Sequence, residues 1–257
     1  MIDTHCHLSD PRLSSQLDDV LNRAKSAGVM RMITIGVTLS DAAACLELCD
    51  RIPNLRCAIG VHPNHSHEVE PADLPQLRGL QNHPSVLALG EMGLDYHYEF
   101  APRARQRATF EFQLQLAMEL KRKVVIHCRE ATDDCLAIMS AFPSVRAVFH
   151  CFTAGLVDAR KILDAGHMLG FTGPVTYKKS DELRAVAAMV PEDRFVVETD
   201  APYLSPEPMR KQKTNEPALV VHTAQAIAVV RGKTLEEIDQ TTTANAERFF
   251  GWPKSSN

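Results

Sequence analysis

A chain of 257 residues with 45% hydrophobic content is long enough to bury a large core, which excludes a mainly disordered protein. A formal net charge of −4 excludes a global basic footprint, so any contact with nucleic acid must be local. Seven cysteines, an odd number, do not read as a disulfide framework, and no signal sequence or membrane-length apolar run is apparent, so a soluble, reduced, cytoplasmic protein is expected.

Along the chain, short apolar runs alternate with longer stretches of helical spacing. The first run, "MIDTHC" (1–6), precedes residues 14–27, where Leu17, Val20, Leu21 and Ala24 share a helical face and Gly28 takes the C-cap. "VMRMITIGV" (29–37), "LRCAIGVH" (55–62) and "SVLALGE" (85–91) follow, with Cys45 and Cys49 four apart on a helix between the first two. The longest amphipathic stretch, 103–121, carries Phe110, Leu114, Ala117 and Leu120 on one stripe and leads into "KVVIHC" (123–128). Helical stretches at 130–141, 156–165 and 181–189 separate "VRAVFHC" (145–151), "HMLGFTG" (167–173) and "RFVVETD" (194–200), with Gly166 at a C-cap. Segment 201–216, rich in proline and charge, reads as the wall of a site. Helices over 217–230, with Pro217 in the first turn, and 234–248, with Thr234 and Glu237 as a capping box, end the pattern.

The eight runs are too apolar to alternate cleanly, as strands covered on both faces should be. Eight strand–helix units with right-handed crossovers predict an α/β fold, a closed (β/α)8 TIM barrel over one domain, 1–257, with an extra C-terminal helix. An open doubly wound sheet is the alternative.

Such a barrel carries its chemistry at the C-terminal ends of its strands. His5 and His7 end the first run, Glu91 the fourth, His127 the fifth, His150 the sixth and Asp200 the eighth, so six metal-competent side chains meet on one rim. Residues i and i+2 of a strand face the same way, which turns His5 and His7 inward together. Imidazole and carboxylate suit Zn²⁺ or Mn²⁺, whereas Mg²⁺ would lean on Glu91 and Asp200. Four histidines and two carboxylates exceed one tetrahedral site and suit two divalent ions that share a carboxylate and activate water. By the same alternation Cys6, Cys128 and Cys151 point to the helix layer as small hydrophobes.

With "IDTHCH" (2–7), "AIGVHP" (58–63), "LGEMGLD" (89–95), "VVIHCR" (124–129), "FHCFTA" (149–154), "VETDAPYL" (197–204) and "NEP" (215–217) in this order, the chain resembles the TatD-type metal-dependent deoxyribonucleases of the amidohydrolase-like barrel superfamily. The resemblance implies a TIM barrel with two divalent metal ions that hydrolyses phosphodiester bonds in DNA, as an exonuclease on single-stranded or frayed ends. It implies that His5, His7 and Asp200 hold one ion, that His127 and His150 hold the other, and that Glu91 bridges them. Asp200 would also accept the proton of the attacking water. His62, Asp95 and Arg129 match positions near the scissile phosphate. Ala154 stands where the family pattern has glycine.

Arg129 can offer a phosphate two hydrogen bonds, with an ion pair to Glu130 or Asp133 as its alternative. Counting back two residues from Asp200 turns Glu198 inward, as a partner for a histidine or for Arg129. His62 and Asp95 could instead cap their loops, and His65 and His67 read as solvated. Arg210, Lys211 and Lys213 add positive charge on the site face, whereas Lys121, Arg122 and Lys123 fall at the opposite end. Tyr96, Phe100, Phe152 and Tyr203 are candidates for stacking on a base. A competing reading keeps the metals and changes the bond to another ester, an amide, a lactone or a phosphotriester, misacylated tRNA included. Neither a membrane nor an obligate protein partner is indicated, and a monomer is expected.

Overall fold

Runs rich in Val, Ile and Leu become strands here because the barrel interior and a helix layer cover both of their faces. The computed structural model describes residues 1–252 except 71, 74 and 99. Among these are eight strands: β1 (Ile2–Cys6), β2 (Arg31–Gly36), β3 (Leu55–Ile59), β4 (Val86–Asp95), β5 (Lys123–Arg129), β6 (Ala147–Phe149), β7 (Met168–Phe171) and β8 (Phe195–Val197). They pair in chain order, each parallel to the next. The seam joins β1 to the segment after β8. Cys6 bridges Ala201, the Asp200 N–H donates to the His5 carbonyl at 2.8 Å, and the His7 N–H donates to the Ala201 carbonyl at 2.7 Å. The chain is thus a (β/α)8 barrel and not an open sheet.

The helices are α1 (Pro11–Ser14), α2 (Leu17–Ser26), α3 (Leu39–Arg51), α4 (Gln76–Leu80), α5 (Arg103–Leu120), α6 (Thr132–Met139), α7 (Leu156–Asp164), α8 (Asp181–Met189), α9 (Val220–Arg231) and α10 (Leu235–Phe250). None of those described is long and apolar enough to cross a membrane. Pro11 opens α1 with Asp10 as its N-cap, and Ser15 and Gln16 separate α1 from α2. The buried face of α3 is Ala42, Cys45, Leu48 and Cys49, mostly small residues, and α4 is short. Pro217 opens a 3-10 turn, Pro217–Leu219, so α9 starts at Val220. The capping box on α10 forms as expected, with Thr234 accepting from the Glu237 N–H.

One apolar layer packs between strands and helices, around Phe110, Leu114, Phe149 and Phe171. A second fills the barrel with Ile33, Ile35, Ala58, Val125, Val148 and Val196, and Phe249, Phe250 and Trp252 at the end of the chain close it from below. Full burial of each such side chain contributes about 1.5–3 kcal/mol. Lys123 lies over the Phe249 ring at 5.9 Å, which puts the 121–123 cluster at this floor, away from the mouth.

One strand corrects the expected pattern. β4 does not end at Glu91 but continues to Asp95. Gly90 and Gly93 both take φ of +140°, and a Cβ on Gly93 would lie 2.0 Å from the His127 carbonyl oxygen. These glycines let β4 run against β5 through a register shift between Leu89 and Met92. Glu91 and Asp95 therefore both come from one strand.

Candidate metal centre

The six side chains singled out as ligands meet at the C-terminal mouth. Glu91 stands between them. Its Oε2 lies 3.4 Å from His5 Nε2, while its Oε1 lies 2.7 Å from His150 Nε2 and 2.9 Å from His127 Nδ1. On the other side, Asp200 Oδ1 lies 3.3 Å from His7 Nε2 and 3.6 Å from His5 Nε2. Three overlapping groups place their donor atoms within 4.8 Å of one another: His5, His7 and Asp200; His5, Glu91 and His150; His62, Glu91 and His127.

The charges are strongly coupled. Burial alone would raise Glu91, yet the imidazoles of His150, His62 and His127 hold it well below the usual carboxylate range. Asp200 is likewise held down against burial, by His7, His150 and His5. Burial opposes protonation of His127, but hydrogen bonds to Asp95 and Glu91 push it up to about 10. His5 goes the other way, down to about 4, through burial and then the neighbouring His150. Neither ring nitrogen of His5 has a hydrogen-bond partner, nor has Nδ1 of His150. Buried polar atoms are rarely left so. The orphaned Nε2 of the neutral His5 ring, facing Glu91 and Asp200, is the kind of donor that a divalent cation such as Zn²⁺ or Mn²⁺ accepts.

His62 lies in the third of these groups, 3.4 Å from Glu91 Oε1. Its Nδ1 accepts the Asn64 N–H at 3.0 Å, so the ring proton sits on Nε2. Burial, then His127, pushes its pKa down to about 4, leaving a neutral ring that donates toward the site. Asp95 accepts from the His97 and Tyr98 N–H groups through Oδ1 and meets His127 Nε2 at 3.0 Å through Oδ2. These are the contacts of a carboxylate that orients a histidine. Glu198 is buried, accepts the Cys151 N–H at 2.6 Å and the Thr4 hydroxyl at 3.2 Å, and lies 3.7 Å from His150 Nδ1. Its neighbour is thus His150 and not Arg129.

Arg129 pairs with neither acid considered for it. Glu130 meets His97 and Asp133 meets Lys161, while the Arg129 guanidinium lies 5.2 Å from the Tyr98 ring centroid. Cys6 joins the helix-side layer as expected. Cys151 does not, because β6 stops at Phe149 and strand alternation no longer applies; it lines the mouth with its Sγ 3.1 Å from Thr172 Oγ1.

Several supporting residues had escaped the sequence reading. Asp3 shares a face with His5 and accepts from the Thr199 N–H and hydroxyl at 2.9 and 2.6 Å. Buried Asn215 donates to the carbonyls of Thr199 and Tyr203. Together they fix the turn in which Asp200 adopts a φ of +57°. From α5, Gln113 accepts the Val61 N–H at 2.8 Å and donates to the Val61 carbonyl at 3.0 Å. Gln106 does the same for Asp95, at 2.9 and 3.0 Å. The two amides replace absent strand partners beside His62 and at the end of β4. The i, i+2 relation to His5 was a usable signal for Asp3. The glutamines offered none.

The mouth is a cavity of about 1130 Å³ lined by His7, His62, Glu91, Asp95, His127 and Asp200 and edged by exposed aromatic rings. Arg129 and His150 also line a neighbouring cavity of about 620 Å³ running toward Asp133, Asp134 and Asp158. In the basic loop, Arg210 rests on the Tyr177 ring at 3.8 Å.

Known proteins share this architecture. A family model for TatD related DNase matches residues 2–251. The chain is 38% identical to the uncharacterized metal-dependent hydrolase YcfH of Escherichia coli K12, over 97% of this chain and 95% of that one. It is 34% identical to the 3′-5′ ssDNA/RNA exonuclease TatD of Erwinia amylovora, over 98% of this chain and 100% of that one. The crystal structure of YJJV, a TatD homolog from Escherichia coli K12, superposes with a TM-score of 0.93 at 28% identity and covers 98% of both chains. A family match across nearly the whole barrel, together with relatives above 30% identity along their full lengths, shows that the chain belongs to the TatD-related DNase family.

Proposed function

We propose that the chain is a divalent-metal-dependent deoxyribonuclease that hydrolyses phosphodiester bonds from single-stranded or frayed ends, one catalytic domain over 1–257. The observation that carries this reading is Glu91, whose two oxygens face two different sets of imidazoles. His5, His7 and Asp200 would hold one cation and His127 and His150 the other, with Glu91 within reach of both sets. Bound there, the cations supply Lewis acidity that offsets the phosphodiester charge and makes water nucleophilic near neutral pH.

The protein groups then have distinct tasks. His62 donates Nε2–H to a phosphate oxygen, and Arg129 offers its planar fork to the same group. Asp95 holds the His127 ring by its far nitrogen, and Glu198 backs His150. Asp200 takes the proton of the attacking water on Oδ2, because Oδ1 faces His5 and His7. A monomer is part of this proposal, and the free cysteines suit a reducing cytoplasm. A mouth edged by exposed side chains suits a polymer better than a small lactone or amide.

The test is digestion of 5′- and 3′-labelled single-stranded DNA, duplex DNA and RNA with added Mg²⁺, Mn²⁺ or Zn²⁺. The activity named for the Erwinia relative brings RNA and the 3′ end into the comparison. Stepwise loss of terminal nucleotides from single strands is expected. Failure of folded, metal-loaded protein to cleave any strand would reject the reading.

A further inference from the structure

The mouth carries two aromatic walls. One follows β4, where Tyr98 and Phe100 stack with ring centroids 5.5 Å apart and an interplanar angle of 26°. Phe100 is 63% exposed and Tyr98 44% exposed, and the Arg129 guanidinium lies against Tyr98. The other follows β8, where Tyr203 is 47% exposed. The Arg12 guanidinium sits 4.5 Å from the Tyr203 centroid and is held there by two hydrogen bonds to Asp10, at 2.9 and 2.7 Å. Tyr98, Phe100 and Tyr203 all line the same cavity as Glu91 and Asp200.

Rings left this exposed bury little area for the fold, whereas Tyr96 and Phe152 are accounted for by packing. Tyr96 donates to Asp134 at 2.6 Å under the Arg103 guanidinium, and Phe152 is buried. In an eight-stranded barrel paired in chain order, β4 and β8 are diametrically opposite. The two walls therefore face each other across the ligand side chains, each with a guanidinium against its aromatic surface.

We infer that the Tyr98–Phe100 pair and Tyr203 are two nucleobase platforms that stack the bases on either side of the scissile phosphate and hold them splayed apart. This rests on the nuclease reading and adds a reason for strandedness. In a duplex, consecutive bases stack on one another about 3.4 Å apart along each strand, so they cannot reach opposite walls. Only an unpaired strand has bases free to separate, and aromatic stacking accepts any base. Arg12 and Arg129 keep the rings oriented and lend cation–π attraction.

The experiment measures binding without cleavage. Short single strands carrying 2-aminopurine at one position are titrated in EDTA with the parent chain, Phe100→Ala, Tyr203→Ala, Phe100→Trp and Tyr203→Trp. The alanine variants should weaken binding by about 5- to 150-fold, the range for losing one stacked base. Each should abolish quenching at a different nucleotide, and tryptophan should restore both signals. Replacing the matching nucleotide by an abasic site should erase the effect of the alanine change. Equal weakening on intact and abasic strands, or loss of the same nucleotide's signal in both variants, would overturn the two-platform inference. Base-dependent binding without cleavage under any metal would sink the hydrolytic reading and leave the platforms standing. Cleavage with base-independent binding would do the reverse.

Discussion

Replacing Glu91 by Gln keeps the side chain's shape and removes the charge faced by four imidazole nitrogens. Those nitrogens lie at 2.7 Å (His150), 2.9 Å (His127), 3.4 Å (His5) and 3.4 Å (His62). Glu91 is buried, so solvent does not screen the loss. Removing one partner of a buried ion pair costs about 3–5 kcal/mol, and that is the expected drop in the metal-free unfolding free energy from urea titration. His127, now at about 10 through Asp95 and Glu91, would keep only Asp95, so its titration followed by NMR should move down. With metal present, a neutral amide is a poor bridge, and elemental analysis should find at most one ion per chain. If Glu91→Gln retained two ions per chain, the shared role of this carboxylate would be refuted.

Gln113→Met leaves the Val61 N–H and carbonyl without their partner. At about 1–3 kcal/mol for each buried group, stability should fall by about 2–5 kcal/mol, and a change below about 0.5 kcal/mol would show that the clamp is idle. His167, buried near the start of β7, is pushed from 6.5 down to about 4 by burial and then by Arg146 and Arg194. Since the unfolded chain binds this proton more readily, the contribution is fully present above pH 6.5 and is lost as pH falls toward 4. It amounts to about 3 kcal/mol. Between pH 7.5 and 4.5, His167→Gln should therefore lose about 2–3 kcal/mol less than the parent, and identical losses would reject the assignment. Phe250→Ala opens the barrel floor and should cost about 3–5 kcal/mol without changing metal stoichiometry, as read by thermal melts and elemental analysis.

The barrel and its rim were legible because buried parallel strands leave long apolar runs, and because ionisable residues at the ends of such runs stand out. His5, His7, His127, His150 and Asp200 were found this way. Glu91 was found the same way, but the end of its strand was not, because Gly90 and Gly93 let β4 run on beside β5 to Asp95. Gln106 and Gln113 were invisible for another reason. Glutamine on a helix reads as a solvent-facing residue, and only the tertiary fold shows the unpaired backbone that each one completes. Tyr98 was passed over in favour of Tyr96, a choice that depends on how the turn after β4 rotates.

The aromatic plug formed by Phe249, Phe250 and Trp252 has a bearing on traffic. Among the described residues, aliphatic side chains fill the barrel and these rings cover its floor, so the metal-competent side chains are approached from the C-terminal face. For the exonuclease proposed above, the exit of each product and the entry of the next phosphate would then share that face of the barrel.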